Sequence, residues 1–157
     1  MKKKYNILLV EDDEDDYYTF NFLISSLPGN HELLRTENGI MFSSLMEAST
    51  PDIIFMDINL PYKSGLELLK EIRSNASFDA VKVIMYSTSS NKRDIDFCYE
   101  HRADFFIVKP PSLSKGKQQI QQLFENENFR NHSRVPRSEF VIDIPKTPEL
   151  IKSTIAA

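Results

Sequence analysis

The sequence predicts an α/β protein built as (βα)5, a doubly wound parallel sheet, and three observations lead there. Five short apolar runs alternate with longer stretches of helical periodicity. Three of those runs are continuously apolar, as strands covered on both faces must be. The order strand, helix, strand repeats without interruption, and right-handed crossovers then place helices on both sides of one sheet. At 157 residues with 41% apolar content, the chain can bury one good core and is short for two.

Taken in order, the strands are "YNILLV" (5–10), "HELLRT" (31–36), "DIIFM" (52–56), "KVIMY" (82–86) and "DFFIV" (104–108). Helices are expected at roughly 13–27, ending at "PGN", at 39–48, at 64–75 opening on "KSG", at 91–101, and at 112–125 opening on "PPS". Within the first helix, Tyr17, Phe20, Ile24 and Leu27 recur at helical spacing and form its buried stripe. No repeat of 20 to 50 residues is visible.

Residues 126–157 read differently from residues 1–125. They contain no glycine, carry three of the eight prolines (Pro136, Pro145, Pro148) and have a net charge near +1, against about −5 for the rest. The reading is one domain at 1–125 and a C-terminal extension at 126–157, loosely ordered or docking a partner. Its one apolar cluster, "EFVIDIP" (139–145), could add a strand, but so short a segment offsets little ordering entropy by itself.

Bulk properties exclude several classes. A net charge of −4 disfavours a nucleic-acid binder held by phosphate contacts. The single cysteine, Cys98, cannot form an internal disulfide and reads as a packed small residue, so a reducing, cytoplasmic setting is expected. The apolar run after the three N-terminal lysines is four residues long, too short for a secretory or membrane segment. His31, His101 and His132 show no ligand or triad spacing.

"ILLVEDDEDD" runs from a buried strand into six consecutive carboxylates. In an open parallel sheet, functional groups gather at the carboxyl ends of the strands. Glu11 and Asp12 stand at the end of the first, Asp57 and Asn59 after the third, Ser87 and Thr88 after the fourth, and Lys109 and Pro110 after the fifth. Two carboxylates ~4 Å apart repel by ~4 kcal/mol at a dielectric of about 20. Glu11, Asp12 and Asp57 therefore need a cation beyond Lys109, and a hard divalent ion with oxygen ligands, Mg²⁺, suits them. Asp13 to Asp16 are read as an acidic first turn complementing the helix dipole.

With those motifs in place, residues 4–125 resemble the receiver domain of two-component response regulators. The resemblance rests on "LLVEDD", "DIIFMDINLP", "VIMYSTSS" and "FFIVKPP", in order and with spacings of 45, 30 and 22 residues between Asp12, Asp57, Ser87 and Lys109. It implies a flavodoxin-like fold with strand order 2-1-3-4-5. It also implies Asp57 as phosphoacceptor from a sensor histidine kinase, and Mg²⁺ held by Asp12, Asp57, the carbonyl of Asn59 and, through water, Glu11. Lys109, Ser87 and Thr88 would contact the phosphoryl group, Phe106 would turn inward as the switch aromatic, and the Lys109–Pro110 bond would be cis. Glu11 stands where many members have Asp.

The resemblance further implies a self-phosphorylating and self-dephosphorylating signalling protein rather than an enzyme, and one acting alone, since no output domain is visible. It would signal through protein contacts, or as a relay intermediate passing its phosphoryl group to a histidine phosphotransfer protein. It leaves room for a homodimer, and "KPPS" is similar to small regulators paired with phytochrome-like kinases. Haloacid dehalogenase-type phosphatases share the nucleophile and the metal but need a second aspartate where Asn59 stands. A pseudo-receiver without chemistry is the remaining alternative, although every catalytic position is filled.

Overall fold

A computed structural model describes residues 3–143. Five strands, β1 (Asn6–Val10), β2 (Glu32–Thr36), β3 (Ile53–Met56), β4 (Lys82–Ser87) and β5 (Phe105–Val108), alternate with α1 (Glu14–Ser25), α2 (Phe42–Ala48), α3 (Gly65–Ser74), α4 (Lys92–Glu100) and α5 (Leu113–Glu125). A short helix α6 (Glu127–Arg130) and a two-residue strand β6 (Val141–Ile142) follow. All strand pairs are parallel and the order is β2-β1-β3-β4-β5-β6. The expected sheet is therefore found, with one strand more than expected.

Local chemistry sets the helix starts. Asp13 caps α1 by accepting from the Asp16 amide at 2.8 Å, and Ser64, Asn91 and Ser112 cap α3, α4 and α5 in the same way. The second helix begins three residues later than its periodicity suggests. Asn38 Oδ1 accepts from the Ile40 amide at 2.9 Å, a side-chain turn that competes with helix. In α1 the fully buried residues are Phe20, Leu23 and Ile24, while Tyr17 and Leu27 pack at the margin.

The central strands β3 and β4 are buried along their whole length, consistent with helices on both faces. Cys98 is fully buried in α4, and burial pushes its thiol up to about 12, which suits a packing residue. Among the described residues no helix is long and apolar enough to cross a membrane.

The extension departs from the loosely ordered reading as far as residue 143. From β5 the chain crosses over through α5 and α6, and β6 pairs with β5 in the register Phe106 to Val141 and Ile107 to Ile142. Phe129, Val135, Phe140 and Ile142 are buried in the common core. What makes so short a segment hold is the number of anchors. The buried Lys82 ammonium donates to the Phe129 carbonyl and lies 3.8 Å from the Phe129 ring centroid. Tyr99 Oη donates to the Val135 carbonyl at 3.1 Å, and Arg137 pairs with Asp96 at 2.8 Å. Gln119 donates from α5 to the carbonyl of Val108 on β5 at 2.9 Å and, more loosely, to that of Ile142 on β6 at 3.5 Å. The remainder of "EFVIDIP" and residues 144–157 lie outside the described residues.

Candidate phosphoacceptor site

The carboxyl ends of β1, β3 and β5 bring Glu11, Asp57 and Lys109 together. Glu11 continues the β1 ladder, its amide donating to the Thr36 carbonyl at 3.0 Å, and the Asp57 amide likewise donates to Val10 at 3.1 Å. Behind Asp57, α3 starts in direct contact with the loop. A Cβ on Gly65 would stand 2.1 Å from the Asp57 carbonyl oxygen, so only glycine lets the helix approach this closely.

Lys109 Nζ, almost buried, donates to Glu11 Oε2 at 2.8 Å, Asp16 Oδ2 at 2.7 Å and Asp57 Oδ2 at 3.0 Å. It also lies 5.7 Å from the Tyr86 ring centroid. Burial alone would lower the lysine's pKa, but the hydrogen bonds to Asp16 and Glu11 and the charge of Asp57 outweigh it, so Lys109 is held firmly protonated. One ammonium does not satisfy all these acids. Burial of Glu11, reinforced by the nearby Asp57 charge and opposed by Lys109, pushes its carboxyl up to about 7.

Glu11, Asp12 and Asp57 each offer a carboxylate oxygen within 4.8 Å of the others. This all-oxygen, net-negative set fits a hard divalent cation. Asn59 is exposed, and its amide donates to Asp57 Oδ1 at 3.3 Å, which places its backbone beside the carboxylate. Ser87 is fully buried, its Oγ accepting from the Ser89 amide at 3.3 Å, and its carbonyl accepts from the Lys109 amide.

Three expectations need correction. Thr88 is exposed and makes no hydrogen bond to the acidic cluster; successive residues leave a strand on opposite sides, and Ser87 takes the inward place. Phe106 is already fully buried, because β6 covers β5 and Phe140 sits 6.5 Å away ring to ring; an outward starting position is not what the structure offers. The Lys109–Pro110 bond is trans, since no cis peptide occurs among the described residues. Trans is favoured for X-Pro by roughly 0.5–1 kcal/mol, and Lys109 reaches its three acceptors from it.

Two residues escaped the sequence reading. From sequence Asp16 reads as part of an acidic first turn, yet its carboxylate turns inward to Lys109. Arg35, at the end of β2, donates to the carbonyls of Glu11 at 3.1 Å and Asp12 at 3.2 Å and stacks over Tyr17. It pins the backbone that carries both acids. Its position on the strand bordering the acidic loop was the available signal.

A parallel sheet ordered 2-1-3-4-5 with an acidic cluster and a lysine at its carboxyl edge is the arrangement of a flavodoxin-like receiver domain, and the comparisons agree. The family model of the response regulator receiver domain matches residues 7–121, and the chain belongs to that family. Response regulator Rcp1 of Synechocystis is 29% identical over 114 residues, 68% of this chain and 78% of its own length. The polar-differentiation response regulator DivK of Brucella anthropi is 31% identical over 110 residues, 70% of this chain and 88% of its own. Among solved structures, the phosphorylated cyanobacterial phytochrome response regulator RcpA superposes with a TM-score of 0.73 at 28% identity, covering 85% of this chain and 99% of that one. The Mn²⁺-bound form of Rcp1 gives 0.70 at 27%, covering 80% and 94%.

Proposed function

We propose that this chain is a receiver that accepts a phosphoryl group from a sensor histidine kinase onto Asp57 and signals through protein contacts. The observation that carries the reading is the placement of the Asp57 carboxylate, with Oδ2 3.0 Å from the Lys109 ammonium and one oxygen within 4.8 Å of carboxylate oxygens from Glu11 and Asp12. An oxygen of Asp57 attacks the phosphorus of a phosphohistidine. The P–N bond breaks, its electron pair returns to the imidazole, which takes up a proton, and an acyl phosphate forms on Asp57. Lys109 donates to a phosphoryl oxygen and offsets part of its charge, and the buried Ser87 hydroxyl offers a neutral donor from the β4 side.

The carboxylates of Glu11, Asp12 and Asp57, with the Asn59 carbonyl, would hold Mg²⁺, which when bound neutralises charge on the transferring group. Asn59 in place of a second aspartate argues against a phosphatase that turns over a separate substrate, so the chain acts on itself rather than as an enzyme. The likeness to the phytochrome regulator RcpA makes a phytochrome-type kinase the first donor to try.

Intact mass after incubation with acetyl phosphate, with and without Mg²⁺, tests the reading on wild type and Asp57→Asn. A Mg²⁺-dependent gain of one phosphoryl group that vanishes in the variant is expected. Equal labelling of the variant would remove Asp57 from its role.

A further inference from the structure

Lys109 has three N–H bonds, and all three are committed to carboxylates, of Glu11, Asp16 and Asp57. To donate to a phosphoryl oxygen on Asp57, the ammonium must release or share one of them. Two of its acceptors, Glu11 and Asp57, belong to the set within 4.8 Å that a divalent cation would neutralise. Asp16 does not belong to that set. Its carboxylate comes from the first turn of α1 and is 41% exposed, yet it makes the shortest of the three contacts, 2.7 Å. When the cation takes the charge of the other two, Asp16 is the acceptor left competing for Lys109.

We infer that Asp16 is a positioning residue that holds the Lys109 ammonium toward α1 and so sets how strongly Lys109 engages the phosphoryl group. This rests on the phosphoacceptor reading of Asp57. The neighbouring acids do not share the role: Asp13 spends its side chain on the helix cap, and Asp15 is exposed. Removing the Asp16 charge frees Lys109 for the anion, so at saturating Mg²⁺ the site should bind a phosphoryl mimic more tightly. Coulomb attraction of one ammonium in a partly buried setting makes the gain roughly three- to tenfold.

The test measures beryllofluoride affinity at saturating Mg²⁺, together with the Lys109 side-chain ammonium signal in a ¹⁵N-labelled, metal-free sample. Variants are Asp16→Asn, Asp16→Glu, Asp15→Asn and Asp57→Asn. The expected result is tighter binding and a lost or shifted ammonium signal in Asp16→Asn, near wild-type behaviour in Asp16→Glu, which can regain the contact, and no comparable change in Asp15→Asn. Binding in wild type that is unchanged in Asp16→Asn, or shifted equally by Asp15→Asn, would overturn the inference and leave the phosphoacceptor reading standing. Failure of wild type to bind, or binding undiminished in Asp57→Asn, would instead sink the phosphoacceptor reading and with it the proposed role of Asp16.

Discussion

The ammonium of Lys109 and the carboxylate of Asp57, 52 residues apart in sequence, meet at 3.0 Å across the carboxyl edge of the sheet. The lysine is the hub of the site, because Glu11 and Asp16 lean on the same nitrogen. Lys109→Ala should therefore leave several acids without a counter-charge. In the metal-free protein this costs about 3 kcal/mol, the scale for breaking a buried ion pair from one side. Saturating Mg²⁺ should recover most of the loss, since the cation replaces the missing charge. Urea unfolding with EDTA and with Mg²⁺ reads both effects, and a variant as stable as wild type in EDTA would refute the hub role.

Glu11 gives the site a pH dependence. Its carboxyl is raised to about 7, chiefly by burial, so the folded protein holds this proton more tightly than the unfolded chain does. A raised acid contributes stability that is fully present below the unfolded value, near 4.3, and is lost as pH rises through the folded one. Metal-free protein should then lose on the order of 1–3 kcal/mol between pH 4.5 and pH 7.5 through this group. Glu11→Gln, which keeps the shape without the titration, should flatten the curve in that window. Unfolding midpoints in urea with EDTA across the range decide it, and identical slopes would exclude Glu11 as the source.

Gly65 links Asp57 to α3. A methyl group there would fall 2.1 Å from the Asp57 carbonyl oxygen and 2.9 Å from the Ile58 Cα, both backbone atoms that cannot swing aside. Gly65→Ala should cost about 2–3 kcal/mol from overpacking and slow labelling of Asp57 by acetyl phosphate, because relieving the clash moves the residue itself. Gly116→Ala is the control. Its new Cβ would meet the side chains of Leu23 and Pro110, the former flexible, so labelling should stay near the wild-type rate.

The sheet and the core of the site were legible because each strand is a short apolar run ending in a polar residue with a role. "LLVEDD", "IIFMD", "VIMYS" and "FFIVK" hand over from burial to chemistry at the carboxyl edge of the sheet, so parallel order gathers Glu11, Asp57, Ser87 and Lys109 there, the register stepping by one residue from Asp57 to Ser87 and again to Lys109. Asp16 was not legible. It lies among six acids of similar type, and only the helix rotation that caps α1 at Asp13 decides which of them faces Lys109. The buried start of Phe106 is not legible because β6 covers β5 where the family resemblance implies an open edge, and the trans bond at Pro110 departs from that resemblance too. The extension was misjudged on ordering entropy, since its anchors, Lys82, Tyr99, Asp96 and Gln119, belong to other elements and carry no mark of it in sequence.

A loosely ordered extension could be removed without touching the fold. In the structure, Phe140 is fully buried between Tyr99, 5.1 Å away ring to ring, and Phe106, while its carbonyl accepts from the Phe106 amide at 3.0 Å. Phe129 packs on the other face of β5, against Phe105 together with Tyr5 and Phe124. Truncating Phe140 to alanine should cost about 3–5 kcal/mol, the usual loss for a buried phenylalanine. Deleting 126–157 should cost more, because it also strips β5 of its partner strand and leaves Lys82 buried without the Phe129 carbonyl. Chemical denaturation followed by circular dichroism checks both, the substitution first because it leaves the chain length unchanged. A Phe140→Ala protein with the wild-type midpoint would mean that the extension rests on the domain without supporting it.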